Sequence, residues 1–195
     1  MHRVMALVFF VAVLLFSSPA HAQDDSDVKK ELDAQYKKLA EAHDRKDLKA
    51  IVGLKTPDFH VFFTDGRVGD SRLTEQYSKD FLERNQPPFN QRFTIQKLTV
   101  SYHKLIAVAE VLQEVTRYQD LAGKRRKVDT SVIQREIWAR TTDGWKLKSV
   151  DNVRDQKKFV DGKRVDPSKP YDPDAAPYNP DDAGTGKSSS SLSST

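Results

Sequence analysis

Cysteine is absent from the 195 residues, which excludes disulfides, thiolate metal sites, cysteine nucleophiles and lipid attachment through an N-terminal Cys. Histidine is scarce, and two of the five, His2 and His21, fall in the first 22 residues. The remaining His43, His60 and His103 contain no pair at ligand spacing and no His-Glu-x-x-His run. No metal site, catalytic triad or cofactor is implied by such a set, and there is no Gly-x-Ser-x-Gly elbow. After the N-terminus no stretch approaches the roughly 18 apolar residues that a membrane-spanning helix requires. The length suits one domain of ordinary size with extra segments at its ends.

The first extra segment spans residues 1–22. Arg3 supplies a positive charge, Val4 to Phe16 is uninterruptedly apolar, Ser17-Ser18-Pro19 breaks the run, and Ala20-His21-Ala22 is a small-x-small cleavage site. These are the three parts of a secretory signal peptide in their required order. The apolar run is too short, at about 1.5 Å per residue, to cross a hydrocarbon core of about 30 Å. The expectation is cleavage before Gln23 and a mature chain that is periplasmic or extracellular, with no stable membrane anchor. Export leaves little room for a nucleic-acid partner.

In the mature chain, Ser26 or Asp27 can cap an amphipathic helix carrying Val28, Leu32, Tyr36, Leu39, Ala40 and His43 on one stripe. A short helical segment from Asp47 ends at Thr56-Pro57. Phe59 to Phe63 reads as a strand, with a hairpin turn at Asp65-Gly66. A third helix capped by Asp70 or Ser71 presents Leu73, Tyr77, Phe81 and Leu82, and Gln86-Pro87-Pro88 stops it. From there the period drops to two: Phe93 to Tyr102, Leu105 to Tyr118, Val128 to Arg140 and Trp145 to Val150 are strand-like and separated by short connections, so the pairing is antiparallel. Helices followed by long strands give an α+β order. Phe93 and Ile95 differ in parity from Leu98, Val100 and Tyr102, which a bulge near Gln96-Lys97 would reconcile while bending the strand. Residues 23–165 form the domain. Residues 166–195, rich in Pro, Asp and Ser, lack the aliphatic side chains that would offset ordering entropy and read as a disordered tail. Within it, Pro170-Tyr171-Asp172-Pro173-Asp174 and Pro177-Tyr178-Asn179-Pro180-Asp181 form a near-repeat.

Three helices interrupted by a short strand pair, Pro57-Asp58-Phe59 leading into Thr64-Asp65-Gly66-Arg67, and later strands ending in Ile137-Trp138-Ala139-Arg140 and Asp143-Gly144-Trp145-Lys146-Leu147 resemble the nuclear transport factor two-like superfamily, in particular its SnoaL-like branch. The resemblance covers roughly residues 27 to 152. It implies N-terminal helices packed in the concavity of a strongly curved antiparallel sheet, a cone enclosing a pocket. It also implies a homodimer through the open sheet face, which Ile133, Ile137 and Ala139 would make sticky if they share it.

Several residues are candidates for the pocket. His60 lies mid-strand on the parity of Phe62; it either lines the cone with Tyr36 or Tyr77 as a general base, or is a half-exposed strand histidine. Glu110 and Arg135 each interrupt an apolar strand, and a two-residue turn at Ala122-Gly123 makes them cross-strand neighbours. That pair is either a surface ion pair or a substrate-orienting one inside the cone. Glu114, Trp138 and Asp151 follow by alternation. The basic run Lys124 to Lys127 reads as a solvated turn. Gly184 to Ser188 fails as a phosphate loop because Asp181 stands where a Gly is required. Three functions stay open: binding of a small, partly apolar molecule or a partner protein without catalysis, a cofactor-independent lyase, isomerase or cyclase using His60 or Glu110, and a homodimeric structural or accessory protein.

Overall fold

Helix α1, Ala20–Asp44, lies against one face of a seven-stranded sheet in the computed structural model, which describes residues 20–101 and 103–181, without the side chains of 20–24. Residues 1–19 of the expected signal peptide, Tyr102 and residues 182–195 lie outside the described residues. The α1 backbone extends N-terminally past the expected Ser26 cap. Among the described residues no helix is long and apolar enough to cross a membrane. Val28, Leu32 and Tyr36, spaced by four, are each at most 4% exposed, as the amphipathic stripe requires.

The two shorter helices are defined by their caps. Asp47 accepts the Ala50 N–H at 2.9 Å and starts α2, Leu48–Gly53. Asp70 accepts the Leu73 N–H at 2.8 Å and starts α3, Ser71–Arg84; each side chain satisfies a backbone donor that the first turn leaves over. Between them β1, Lys55–Phe62, and β2, Val68–Gly69, form the hairpin expected at Asp65-Gly66, where Gly66 takes a positive φ of 85°.

Four long strands follow: β3, Asn85–Val100; β4, Ile106–Leu121; β5, Lys124–Thr141; and β6, Gly144–Val160, with a short β7, Lys163–Val165, at the end. The sheet order is β2-β1-β6-β5-β4-β3, with β7 also on β6. The sequence-based expectation of an antiparallel sheet holds for every pair but one. β1 runs parallel to β6 (His60 beside Ser149, Val61 beside Val150), so the sheet is mixed; a parallel neighbour needs a long crossover, and no local pattern announces it. The two prolines at 87 and 88 sit in β3, an edge strand where a missing N–H donor is tolerated. The basic run Lys124 to Lys127 belongs to β5 and leaves only Ala122-Gly123 as the turn, both at positive φ.

Curvature comes from extra residues. The β3 register shifts between Ile95 and Lys97, where a bulge was expected, and Phe93, Ile95, Leu98 and Val100 all pack on the same core. Strand β6 shifts register against β5 three times. Two of those sites fall beside Asn152 and Asp155, at φ 47° and 52°, the left-handed region that Asn and Asp enter more readily than other side chains. These irregularities carry β6 to Val160, well past the Val150 at which period-two patterning ends.

Residues 166–179 form no helix or strand, but they do make specific contacts. The Tyr178 N–H donates to the Arg164 carbonyl at 3.0 Å, and the Lys163 ammonium donates to the Ala175 carbonyl. The near-repeat places each tyrosine under an arginine: Arg126 lies 5.2 Å from the Tyr171 ring and Arg164 lies 5.8 Å from the Tyr178 ring. Exposed cation–π pairs contribute about 0.5 to 1 kcal/mol each. Deleting residues 166–195 is therefore expected to cost about 1 to 2 kcal/mol in urea unfolding, and deleting only 182–195 nothing measurable. Equal stability of the two truncations would show that the tyrosine contacts contribute nothing.

Candidate functional site

The buried alternation of β4 fixes which sheet face is inside. Ala107, Ala109 and Val111 are fully buried and pack with Leu32, Tyr36 and Trp138, so odd positions of β4 face α1. Register then assigns even positions of β5 to the same face, because Ala109 pairs with Glu136 and Ala107 with Trp138.

At the closed end of the cone lies Glu136, 2% exposed. One carboxylate oxygen accepts the Tyr36 hydroxyl at 2.7 Å and the Trp138 indole N–H at 2.9 Å; the other accepts the Gln134 carboxamide at 2.7 Å. Tyr36 also stacks on Phe93, with centroids 4.6 Å apart. Burial pushes the Glu136 carboxyl above its ordinary range, and the three donors oppose that shift. Burial and the neighbouring carboxylate push the Tyr36 hydroxyl strongly upward. All three partners hold the Glu136 oxygens inside the core.

The open end holds a cavity of about 300 Å³ between α1, α3 and the inner sheet face, lined by His43, Phe81, Gln91, Gln113, Arg117 and Gln156 among others. A second cavity of about 270 Å³ at the rim shares Phe81 and Arg117 with it and adds Tyr77, Arg84, Asn85 and Gln119. His43 contacts the Leu39 carbonyl through Nδ1 at 2.9 Å. A carbonyl only accepts, so Nδ1 carries the proton and a neutral ring keeps Nε2 as an acceptor; burial lowers the His43 pKa and favours that form. Arg117 donates from Nε to Asn85 Oδ1 at 2.9 Å and from Nη1 to the Thr130 hydroxyl at 3.0 Å, with its plane over the Phe81 ring at 5.5 Å. The Gln91 carbonyl oxygen is buried without a hydrogen-bond partner. Among the described residues no group of three or more His, Asp or Glu could hold a metal ion.

The sequence-derived candidates separate into three groups. Tyr36 and Trp138 lie inside the cone, at its closed end. Tyr77 stands at the rim, 40% exposed and against Phe63. The other five are not in the concavity. His60 is half-exposed on β1 beside Phe62, on the face away from buried Phe59, with Nδ1 near the Asp58 carbonyl. Glu110 and Arg135 are cross-strand neighbours as the turn at Ala122-Gly123 implied, but they occupy the outer face. Each pairs elsewhere there: Glu110 with Arg154 at 2.8 Å and Arg135 with Asp151 at 2.6 Å. Glu114 meets Arg92 at 3.9 Å on the same face. Charged side chains go outward because the inner face of β4 at that level is filled by alanines against α1. His43, Gln91, Gln113, Arg117 and Glu136 were missed, although β4 parity and the register onto β5 place Arg117 and Glu136 inside once Ala107 and Ala109 are taken as the core row.

No family model matches the chain, and no curated protein does. Solved structures do. A conserved protein from Planctomyces limnophilus superposes with a TM-score of 0.53 at 15% identity, covering 69% of this chain and 98% of that one. Aln2 from a Streptomyces species gives 0.54 at 11% identity, over 66% and 90% of the two chains. A proposed scytalone dehydratase from Novosphingobium aromaticivorans gives 0.54 at 10% identity, over 70% and 90%. The fold is nuclear transport factor two-like. In this fold the helices and the curved sheet enclose the cavity, as the sequence resemblance implied.

Because the Glu136 pKa is raised on folding, the native state holds its proton more tightly than the unfolded chain. Its stabilising contribution is complete below the unfolded value of about 4.5 and is lost as pH rises through the folded value, at up to about 1.4 kcal/mol per pH unit. Glu136→Gln preserves an oxygen for Tyr36 and Trp138, and a turned Gln134 amide can meet the new NH2. The wild type is expected to lose stability relative to this variant as pH is raised from 4 to 8 in urea unfolding. A difference that stays flat over that range would show that Glu136 is charged in the fold at no cost.

Proposed function

We propose that this chain is an exported domain that binds a small, partly apolar molecule in the open end of its cone and works by binding, not by catalysis. The observation that carries the reading is the composition of the cavity wall. Phe81, Val115 and Val132 offer apolar surface, and Gln91, Gln113, Gln156 and Arg117 offer directional donors and acceptors around it, the mixture that small-molecule sites use to combine affinity with orientation. The buried carboxylate of Glu136, engaged by three donors, is occupied with the core.

A second reading, a cofactor-independent lyase or isomerase, is favoured by one feature. His43 borders the cavity with its Nδ1 proton committed to Leu39, which leaves Nε2 to take a proton from a bound molecule. The fold likeness to a proposed scytalone dehydratase points the same way by analogy alone. In this reading His43 replaces His60 and Glu110 as the base.

The outer face supports a homodimer as the partner. Register aligns Ile106 with Ala139, Val108 with Ile137 and Leu112 with Ile133 on that face, where no helix packs among the described residues, and Leu105 beside it is 55% exposed. Such rows favour cover by a second apolar surface. The signal-like order of residues 1–22 supports export.

The neutral dye N-phenyl-1-naphthylamine is expected to bind the wild type with enhanced fluorescence. Val132→Phe, which fills the cavity, should weaken it at least tenfold with little change in melting temperature; dye binding indifferent to that change would remove the cavity as the site. Native mass spectrometry of the secreted or periplasmic fraction is expected to give twice the mass of a chain beginning at Gln23. A monomer would remove the dimer, and a chain retaining Met1 would remove the export reading.

A further inference from the structure

We propose that the molecule bound in the cone carries a carboxylate and that Arg117 is the group that pairs with it. The inference deepens the binding reading above and rests on it. Arg117 stands in the wall common to both cavities. Its two protein hydrogen bonds go to neutral oxygens, Asn85 Oδ1 and Thr130 Oγ1. Of the five N–H donors of a guanidinium, the two on Nη2 take no partner among the described residues, and none of the carboxylates of those residues lies within ion-pair distance.

The acid whose charge acts on it does not neutralise it. Asp129 accepts the Thr116 hydroxyl at 2.5 Å and pairs with Lys127 at 3.1 Å. A further cation is close: Lys158 pairs with Thr130 across β5 and β6, and its charged form is disfavoured by burial and by Arg117. Burial likewise disfavours the charged form of Arg117, with Asp129 opposing only in part. Two partly desolvated cations with one distracted acid leave a positive potential in a recess of low dielectric, a costly arrangement until an anion completes it. The geometry also selects the anion. Phe81 supports one face of the guanidinium and the two oxygen partners fix its plane, so the two unpaired donors on Nη2 are held in a fixed plane, which suits the in-plane lone pairs of a carboxylate. The apolar wall at Val115 and Val132 accommodates the body of such a molecule.

The test compares 2-naphthoate with its neutral isostere 2-naphthamide as competitors of N-phenyl-1-naphthylamine. The wild type is expected to bind the naphthoate at least tenfold more tightly than the amide, with the preference shrinking as salt is raised. Arg117→Gln should abolish that preference, read as the ratio of the two affinities and so independent of any change in dye affinity, with thermal unfolding reporting that the domain is folded. Arg117→Lys, which keeps the charge but not the planar donors, should retain a reduced preference. A naphthoate preference undiminished in Arg117→Gln, or no preference in a wild type that binds the dye, would overturn the inference while sparing the cavity. Failure of the wild type to bind the dye in a manner sensitive to Val132→Phe would instead bring down the binding reading on which it rests.

Discussion

The Glu136 carboxylate sits among aromatic rings with almost no exposure, and each of its oxygens has to be met by a donor held in a fixed place. An unmet charge or lone pair there would cost several kcal/mol. One donor, Tyr36, belongs to α1; Trp138 and Gln134 flank Glu136 on β5. Helix and sheet therefore cannot slide past each other without orphaning a buried polar group, whereas a purely apolar contact tolerates slippage. The same rotation of α1 brings Glu31 to the Trp145 indole N–H at 2.5 Å and to Arg140 at 3.1 Å. It also sets His43, two turns beyond Tyr36, over the open end. The position of the cavity is thus a consequence of how the closed end is satisfied.

The second requirement is curvature, which an evenly paired sheet does not give. The shift in β3 near Gln96 lets two runs of opposite parity face one core, and the left-handed residues Asn152 and Asp155 bend β6 where it passes the open end. Without those insertions Thr130, Val132 and Gln156 would diverge from Arg117 instead of surrounding a common space. Packing at one end of the cone and bulges at the other have different jobs: the first fixes the helix and the second makes room.

Much of this was legible in the residues. The helical stripe of α1, the hairpin at Asp65-Gly66, the turn at Ala122-Gly123 and the β3 bulge each rest on a local rule that the structure follows. The inventory of the site was not legible, because alternation divides a strand into two faces without naming the inner one. Glu110 and Arg135 drew attention by interrupting apolar runs, but an interruption marks the wetter face as readily as a site. The small side chains of Ala107 and Ala109 were the better indicator, since a helix approaches a sheet most closely over alanine. The parallel pairing of β1 with β6 and the length of β6 escaped because one is non-local and the other is broken by bulges that erase the period-two signal. The tail was read from its lack of aliphatics, a measure blind to tyrosines that bind arginine faces.

The parallel pairing also orders events in time. β1 is a bare hairpin arm until β6 exists, about ninety residues later in the chain, and Tyr36 finds Glu136 at a separation of 100 residues. Long loop closures of this kind are entropically late. During synthesis the three helices are complete while their sheet is still unmade, and the stripe of α1 is covered in steps, by Phe93 and Ile95 of β3 and the alanines of β4 first and by Trp138 and Trp145 of the later strands last. Closure of the domain thus waits for its C-terminal hairpin to return to the first strand and the first helix of the chain.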